Sequence, residues 1–150
     1  MRADYNITPQ ILTLLHYSFA DMKGRIDPPS SLKKLTVDAI NHHMETEVLL
    51  TVQNASTPIA CVFLTEQSDA IYLGKLAVAE THRKTGAAKA LINWAETYTR
   101  DQGHRTLRLQ TRIELTENHA LFAHLGFTQT ATGKHPGFTH PTEITMEKPV

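Results

Sequence analysis

Residues 76–91 read Leu-Ala-Val-Ala-Glu-Thr-His-Arg-Lys-Thr-Gly-Ala-Ala-Lys-Ala-Leu, and the change of pattern within them decides the fold. An apolar strand ends at Val78, a polar turn carries Arg83 and Lys84, and Gly86 opens a small-residue helix through Ala87, Ala88 and Ala90. A helix start presents backbone N–H groups that have no acceptor inside the helix, and the helix dipole adds partial positive charge there. Such a start suits an anion of the size of a pyrophosphate. Gly86 and the alanines after it keep large side chains away from the approach, and Arg83 and Lys84 put full positive charge at its rim. The same order also describes an ordinary strand–turn–helix unit with a solvated basic turn. Neither Gly-x-Gly-x-x-Gly nor Gly-Lys-Ser/Thr is present, so this is neither a dinucleotide fingerprint nor a Walker loop.

Upstream of this stretch, Thr8-Pro9 reads as a capping residue followed by proline in the first turn. Ile11, Leu14, Leu15 and Phe19 then recur at helical spacing as far as about Met22. The consecutive prolines of Asp27-Pro28-Pro29-Ser30-Ser31 require a loop, and a second helix is expected from about Leu32 to His43. Residues 47–53 and 58–65 are rich in β-branched and apolar residues around Asn54-Ala55-Ser56-Thr57, the pattern of an antiparallel hairpin. A turn at Gln67-Ser68-Asp69 leads into a strand over 70–78.

Downstream, a helix over 86–101 should bury Ala87, Leu91, Trp94 with Ala95, and Tyr98, and end at Gly103. A strand over 106–111, a short helix over 118–125 closed by Gly126, and strands over 127–132 and 142–147 follow, the last two bracketing a Gly/Pro loop at 133–141. Residues 2–7 are a weak candidate for a first strand. The element order implies an α+β fold, a mixed sheet with flanking helices.

A chain of 150 residues suits a single domain over 1–150 with one sizeable core. Lys plus Arg and Asp plus Glu number 15 each, so no global field draws the chain to nucleic acid or to an acidic membrane. No apolar run approaches the ~20 residues of a membrane span, and the N-terminus does not read as a signal peptide; the expected location is cytoplasmic. The single cysteine, Cys61, lies in the apolar run 59–64 and reads as a small buried hydrophobe. The nine histidines show neither His-x-x-x-His nor Glu-x-x-His spacing, so no metal site is expected.

Arg83-x-x-Gly86-x-Ala88, placed just after a Leu-Ala-Val strand, resembles the acetyl-coenzyme-A signature of the GCN5-related N-acetyltransferases (GNAT), Gln/Arg-x-x-Gly-x-Gly/Ala. A second stretch, Glu114-Leu115-Thr116-Glu117-Asn118 followed by Phe122-Ala123-His124-Leu125-Gly126-Phe127, is similar to the Asn-containing helix and Leu-Gly-Phe ending of many bacterial members. Together the two motifs cover the C-terminal half in detail. The N-terminal half agrees in its order of elements.

The resemblance implies a central, mostly antiparallel mixed sheet flanked by helices, with acetyl-coenzyme A as cosubstrate and no metal. It implies that Leu76, Ala77 and Val78 offer strand-edge backbone groups to the pantetheine arm. Arg83, Lys84, Thr85, Gly86, Ala87, Ala88 and Lys89 would cradle the pyrophosphate. Asn118 would hydrogen-bond the pantetheine arm and Phe122 would line the channel near the sulfur. For Asn118 a capping role is open beside this one, and for Phe122 a place in the core. Many members carry tyrosine where Phe122 stands, and phenylalanine cannot protonate a departing thiolate.

The implied reaction is direct attack of an amine on the thioester. A lysine amine is neutral in only roughly one molecule in 2,500 at pH 7, and an α-amino group in roughly one in ten, so a lysine-type acceptor needs a base more. Glu114, just past the strand beside the expected thioester, is the first candidate for that base, with Tyr72, Asp27 and His135 as weaker rivals; an exposed loop carboxylate is the plain reading of Glu114. Loop 23–31, residues 65–69 and loop 133–141 should enclose the acceptor, an amine of a small molecule or peptide whose identity the sequence does not specify. The alternative is a non-catalytic acyl-coenzyme-A sensor of the same fold. A homodimer is compatible with so small a domain, though no interface is specified.

Overall fold

The computed structural model describes residues 7–83 and 85–150. Its elements are α1 (Thr8–Met22), α2 (Val37–Thr46), β1 (Val48–Asn54), β2 (Thr57–Glu66), β3 (Ile71–Val78), α3 (Ala87–Asp101), β4 (Thr106–Arg112), α4 (Thr116–His124), β5 (Thr128–Gly133) and β6 (Glu143–Pro149). The six strands form one sheet in the order β1-β2-β3-β4-β6-β5. Only β3 and β4 run parallel, joined by the α3 crossover; every other neighbouring pair is antiparallel.

Alternation along β2 divides the protein into two layers. Ala60, Val62 and Leu64 face a cluster built with Ala87, Leu91, Ile92 and Ala95 of α3 and Phe122 of α4. Cys61 and Phe63 face the other side, where Ile11, Leu14 and Leu15 of α1 and Ile40 and Met44 of α2 cover them. The two helical pairs therefore lie on opposite faces of the sheet. Cys61 is the small buried hydrophobe its sequence context suggests, and burial pushes its thiol up to about 12.

Both helix ends on the α3–α4 face are set by glycine. Gly103 has φ +81°, with the His104 N–H bonded to the Thr99 carbonyl and the Gly103 N–H to the Arg100 carbonyl. Gly126 (φ +100°) repeats the pattern: Phe127 N–H reaches the Phe122 carbonyl and Gly126 N–H the Ala123 carbonyl. This is the Schellman arrangement, which brings together the residue just past the helix end and one in its last turn. Here those residues are Phe127 and Phe122, packed edge to face with centroids 5.9 Å apart. The Leu-Gly-Phe ending is thus a helix stop with its hydrophobic clasp, and Phe127 precedes β5 instead of opening it.

Three further expectations are corrected. Thr8 does not cap α1: Ile7 is the capping residue, and the buried Thr8 hydroxyl donates to Asn41 Oδ1 of α2 at 2.7 Å. The second helix starts five residues later than expected, because Thr36 caps it by accepting the Ala39 N–H (3.2 Å), while Ser31–Lys34 form a separate 3-10 turn. Trp94 is 49% exposed, and Ile92 and Thr99 take places in the buried stripe of α3. Thr99 is tolerated there because its hydroxyl donates to the Ala95 carbonyl at 2.7 Å. Apart from Ile7, the weak strand at 2–7 lies outside the described residues.

Candidate cofactor and acceptor site

The site begins where two parallel strands part. β3 and β4 pair at Ile71–Leu107, Tyr72–Arg108 and Leu73–Leu109, and the ladder stops there although both strands continue, to Val78 and to Arg112. From Gly74 onward β3 is held only by β2 on its other side. At Lys75 (φ +55°) β3 bulges and the β2–β3 register shifts, which helps turn the strand away from β4. The result is a gap through the sheet at the carboxyl ends of parallel strands, the place where open sheets with crossovers bind ligands.

Backbone alternation says which groups face that gap. The Ala79 N–H bonds the Ile59 carbonyl at 2.7 Å, so by the two-residue period of an antiparallel ladder Ala77 also turns its peptide groups toward β2. Val78 turns its groups toward the open side, Leu76 lies in the bulge between the paired Gly74 and Ala77, and the Ala77 side chain is buried under α1 and α2.

After β3 the chain makes a short 3-10 turn at Glu80–His82 and enters α3 through Gly86. Gly86 has φ +88°, ψ 6°, and a Cβ placed on it would meet no atom within 4 Å. The first bond within the helix runs from the Ala90 N–H to the Gly86 carbonyl (2.9 Å). The N–H groups of Ala87, Ala88 and Lys89 therefore lie at the helix start ahead of any intrahelical acceptor. A glycine in a left-handed conformation, open space at its missing side chain and a row of N–H donors with no acceptor among the described residues fit a phosphate. The Thr85 hydroxyl donates back to the His82 carbonyl and shapes the turn. Lys84 lies outside the described residues. Arg83 is directed to α1, 3.6 Å from Asp21.

The loop expected to enclose an acceptor is held by contacts reaching across the chain. Arg25, in the loop just past α1, pairs with Glu117 at the start of α4, and Tyr17 donates to Glu80. The Arg25 guanidinium holds the Glu117 carboxyl below its usual value. The Asp27 N–H donates to Glu114 Oε2 at 3.0 Å. Arg112 donates to the Pro28 carbonyl (2.7 Å) and the Pro29 carbonyl (3.3 Å). Loop 24–31 is thereby strapped over the end of β4. Glu114, the first candidate for base, is exposed and one of its oxygens holds this loop.

Asn118 does not cap its helix, which starts after Leu115; its Nδ2 donates to Thr111 Oγ1 on β4 at 3.5 Å, at the rim of the gap. Phe122 is only 6% exposed and belongs to the core, clasped to Phe127. His135 is held by Thr142, whose hydroxyl oxygen accepts the His135 backbone N–H (2.9 Å) and lies 2.5 Å from its Nδ1. Among the described residues no three His, Cys, Asp or Glu side chains are grouped to hold a metal ion, and no helix is long and apolar enough to cross a membrane.

Residues 15–127 match the model of the acetyltransferase (GNAT) family. The chain belongs to this family. Among solved structures, an N-acetyltransferase (PaiA) from Thermoplasma acidophilum in complex with coenzyme A superposes with a TM-score of 0.82 at 14% identity, covering 100% of this chain and 97% of that one. The ribosomal-protein-S18-alanine N-acetyltransferase of Escherichia coli gives a TM-score of 0.71 at 19% identity, with 99% and 91% covered. A GNAT acetyltransferase from Elizabethkingia anophelis with acetyl-CoA bound gives 0.66 at 17%, with 82% and 85% covered. Among curated proteins no sequence relative matches. These likenesses establish the GNAT fold, in agreement with the mixed, mostly antiparallel sheet described above.

Two features of the site were not visible in the sequence. The strap made by Arg25, Arg112, Glu114 and Glu117 joins segments far apart in the chain. Glu143, on the open face of β6, was not singled out; the one signal was its alternation with the apolar Ile144 and Met146.

Proposed function

We propose that this GNAT domain, residues 1–150 acting as one unit, is an acetyl-coenzyme-A-dependent N-acetyltransferase whose acceptor is an amine of a small molecule or peptide. The observation that carries this reading is the gap between β3 and β4 beside the glycine-led start of α3, which together supply an open strand edge and N–H donors with no acceptor among the described residues. The backbone of Leu76 and Val78 would bind the amides of the pantetheine arm, with Ala77 shaping the strand between them. The N–H groups from Gly86 to Lys89 would hold the pyrophosphate, with Thr85 fixing the turn and Arg83 and Lys84 at its rim. Asn118 would reach the arm from the β4 side. Phe122 supports α4 from the core instead of lining the channel.

Bound there, acetyl-coenzyme A supplies an activated acyl group on a good leaving thiolate. The chain's contribution is to fix the acyl carbonyl against the Val78 edge, exclude water with loop 24–31 and receive the proton that the attacking amine loses. Glu114 is the proposed acceptor of that proton, through an ordered water, because its second oxygen is not needed to hold Asp27. The departing thiolate takes its proton from solvent, since Phe122 has none to give.

Calorimetric titration with acetyl-coenzyme A, followed by an amine panel with thiol release as readout, tests the proposal. Micromolar binding and release with at least one amine support it. Binding without release from any amine would favour the sensor reading, and no binding would remove both.

A further inference from the structure

Resting on the transferase reading above, we propose that Glu143 and Tyr72 form a subsite for a second positive charge on the acceptor, so that the preferred acceptor is an amine carrying another cationic group a few atoms away.

The face of the sheet opposite α3 is covered by α1 and α2 only over β1, β2 and the end of β3. Beyond them the strands β4 and β6 show a polar surface. Its charges are largely satisfied within the protein. Arg108 binds Asp69 in a two-pronged contact (2.8 Å each) and Glu147 at 2.7 Å. Arg112 stands directly across from Glu143 in the ladder and keeps its charge, but its hydrogen bonds go to the carbonyls of Pro28 and Pro29 and not to the Glu143 carboxylate. Glu143 is left half-buried, with no hydrogen bond or ion pair to another described side chain. Among the described residues it is a carboxylate with no bonded cation, on a face where Asp69 and Glu147 share Arg108.

Two glycines shape the space around it. A Cβ at Gly133 would lie 3.1 Å from Glu143 Oε1, so the carboxylate rests against bare backbone on β5. A Cβ at Gly74 would lie 3.4 Å from Tyr72 Cε1, so the Tyr72 ring leans along β3 toward the gap. The Tyr72 hydroxyl is 3.5 Å from Gln110 Oε1. Burial and, next, the Glu143 charge raise the pKa of that hydroxyl, which places both groups in one local field.

Distance separates this subsite from the reacting amine. β4 lies between the gap and β6, and neighbouring strands are about 5 Å apart. Glu143 is therefore too far across the sheet to take a proton from an amine attacking in the gap. It is well placed to hold an ammonium further along the same molecule. The ring face and hydroxyl of Tyr72, between the two, suit the aliphatic spacer and the cation's edge.

The test compares 1,4-diaminobutane with n-butylamine, which differ in the second charge. Thiol release should give the diamine a lower KM in the native protein. Glu143→Gln, which keeps shape and removes charge, should raise that KM by roughly tenfold or more with kcat kept, leaving n-butylamine unchanged. Tyr72→Phe should raise it less. Equal KM values for the two amines, or an equal change in both in Glu143→Gln, overturn the proposal. Calorimetric binding of 1,4-diaminobutane to the native protein and to Glu143→Gln, alone and with coenzyme A, decides it independently of turnover. Binding weakened in the variant supports the subsite even where no amine is acetylated. Absent or unaltered binding in a variant with native melting refutes it.

Discussion

Replacing Gly86 by alanine separates the demands of the backbone from those of the ligand. Gly86 is left-handed (φ +88°), and an L-residue there costs about 1–2 kcal/mol whatever surrounds it. Nothing lies within 4 Å of the added Cβ, so no clash adds to that strain in the free protein. For a domain of this size the melting temperature should fall by roughly 2–8 °C. Gly103, at the other end of the same helix, is a matched control: φ is +81° and its Cβ position is also empty. Gly103→Ala should melt at about the same temperature as Gly86→Ala.

The two variants part company when coenzyme A is added. At Gly86 the space that the Cβ enters is the space assigned to the phosphates, in front of the Ala87–Lys89 donors. Displacing the anion from even one charge-assisted N–H contact forfeits about 1.5–3 kcal/mol, or roughly ten- to a hundredfold in affinity. Gly86→Val should abolish binding. Gly103→Ala should bind as the native protein does. The assay is paired calorimetry and thermal melting on all four proteins. If Gly86→Ala binds normally while melting lower, the phosphate is not held at this helix start. If both alanine variants lose affinity alike, the loss reflects a weakened helix and the assignment fails as well.

Arg83→Ala should weaken coenzyme-A binding roughly two- to fivefold at low salt and progressively less as salt is added, because the side chain is exposed and its contact ionic; a salt-independent loss would point to a packing role. Phe122→Ala should cost about 3–5 kcal/mol of stability, seen as a large drop in melting temperature, since it removes the clasp to Phe127; native-like melting would show that Phe122 is not core. The Arg108 guanidinium holds the Asp69 carboxyl below its usual value, so this pair supports the fold above about pH 4 and the support fades as pH falls through the lowered native value. Asp69→Asn should accordingly melt lower than the native protein at neutral pH, with the difference shrinking in acid; a difference that grows in acid would reverse the assignment. Glu114→Gln keeps an oxygen for the Asp27 N–H while removing the base, so kcat should fall by about a hundredfold or more with KM nearly unchanged. An unaltered kcat would leave Glu114 as a holder of loop 24–31 alone.

The parts of the structure that could be read from sequence are those in which the physical cause is local. The hairpin at 47–66 was marked by two β-branched runs around a short polar turn, and its central Ala55 and Ser56 take the positive φ values that such tight hairpins use. The ends of α3 and α4 were marked by Gly103 and Gly126. The errors arise where a tertiary partner overrides a local pattern. Thr8 looked like a cap because Pro9 follows it, but Asn41 of α2 claims its hydroxyl. Trp94 looked like core because it sits beside Ala95 on the helix, yet the buried stripe of α3 runs through Leu91, Ile92, Ala95 and Thr99 and leaves the indole exposed. Phe122, for which a place in the core was open beside a place along the channel, is clasped to Phe127 by the helix stop at Gly126.

The same distinction separates the two halves of the site. The cofactor side lies within residues 76–91, where strand end, turn, glycine and helix start follow one another, so one window of sequence contains the whole proposed cradle. The acceptor side is built from contacts between residues 92, 87 and 84 apart: Arg25 with Glu117, Asp27 with Glu114, and Arg112 with Pro28. No spacing rule connects such pairs, and each side chain alone reads as an ordinary surface charge. Their effect on specificity appears only by subtraction. Arg25 is paired with Glu117 and Arg108 with Asp69 and Glu147, while Arg112 directs its hydrogen bonds to loop carbonyls, which is why Glu143 is the carboxylate proposed for a visiting cation. The proposed cofactor cradle is therefore a contiguous motif, whereas the proposed acceptor subsite depends on a carboxylate, Glu143, that has no ion pair among the described residues.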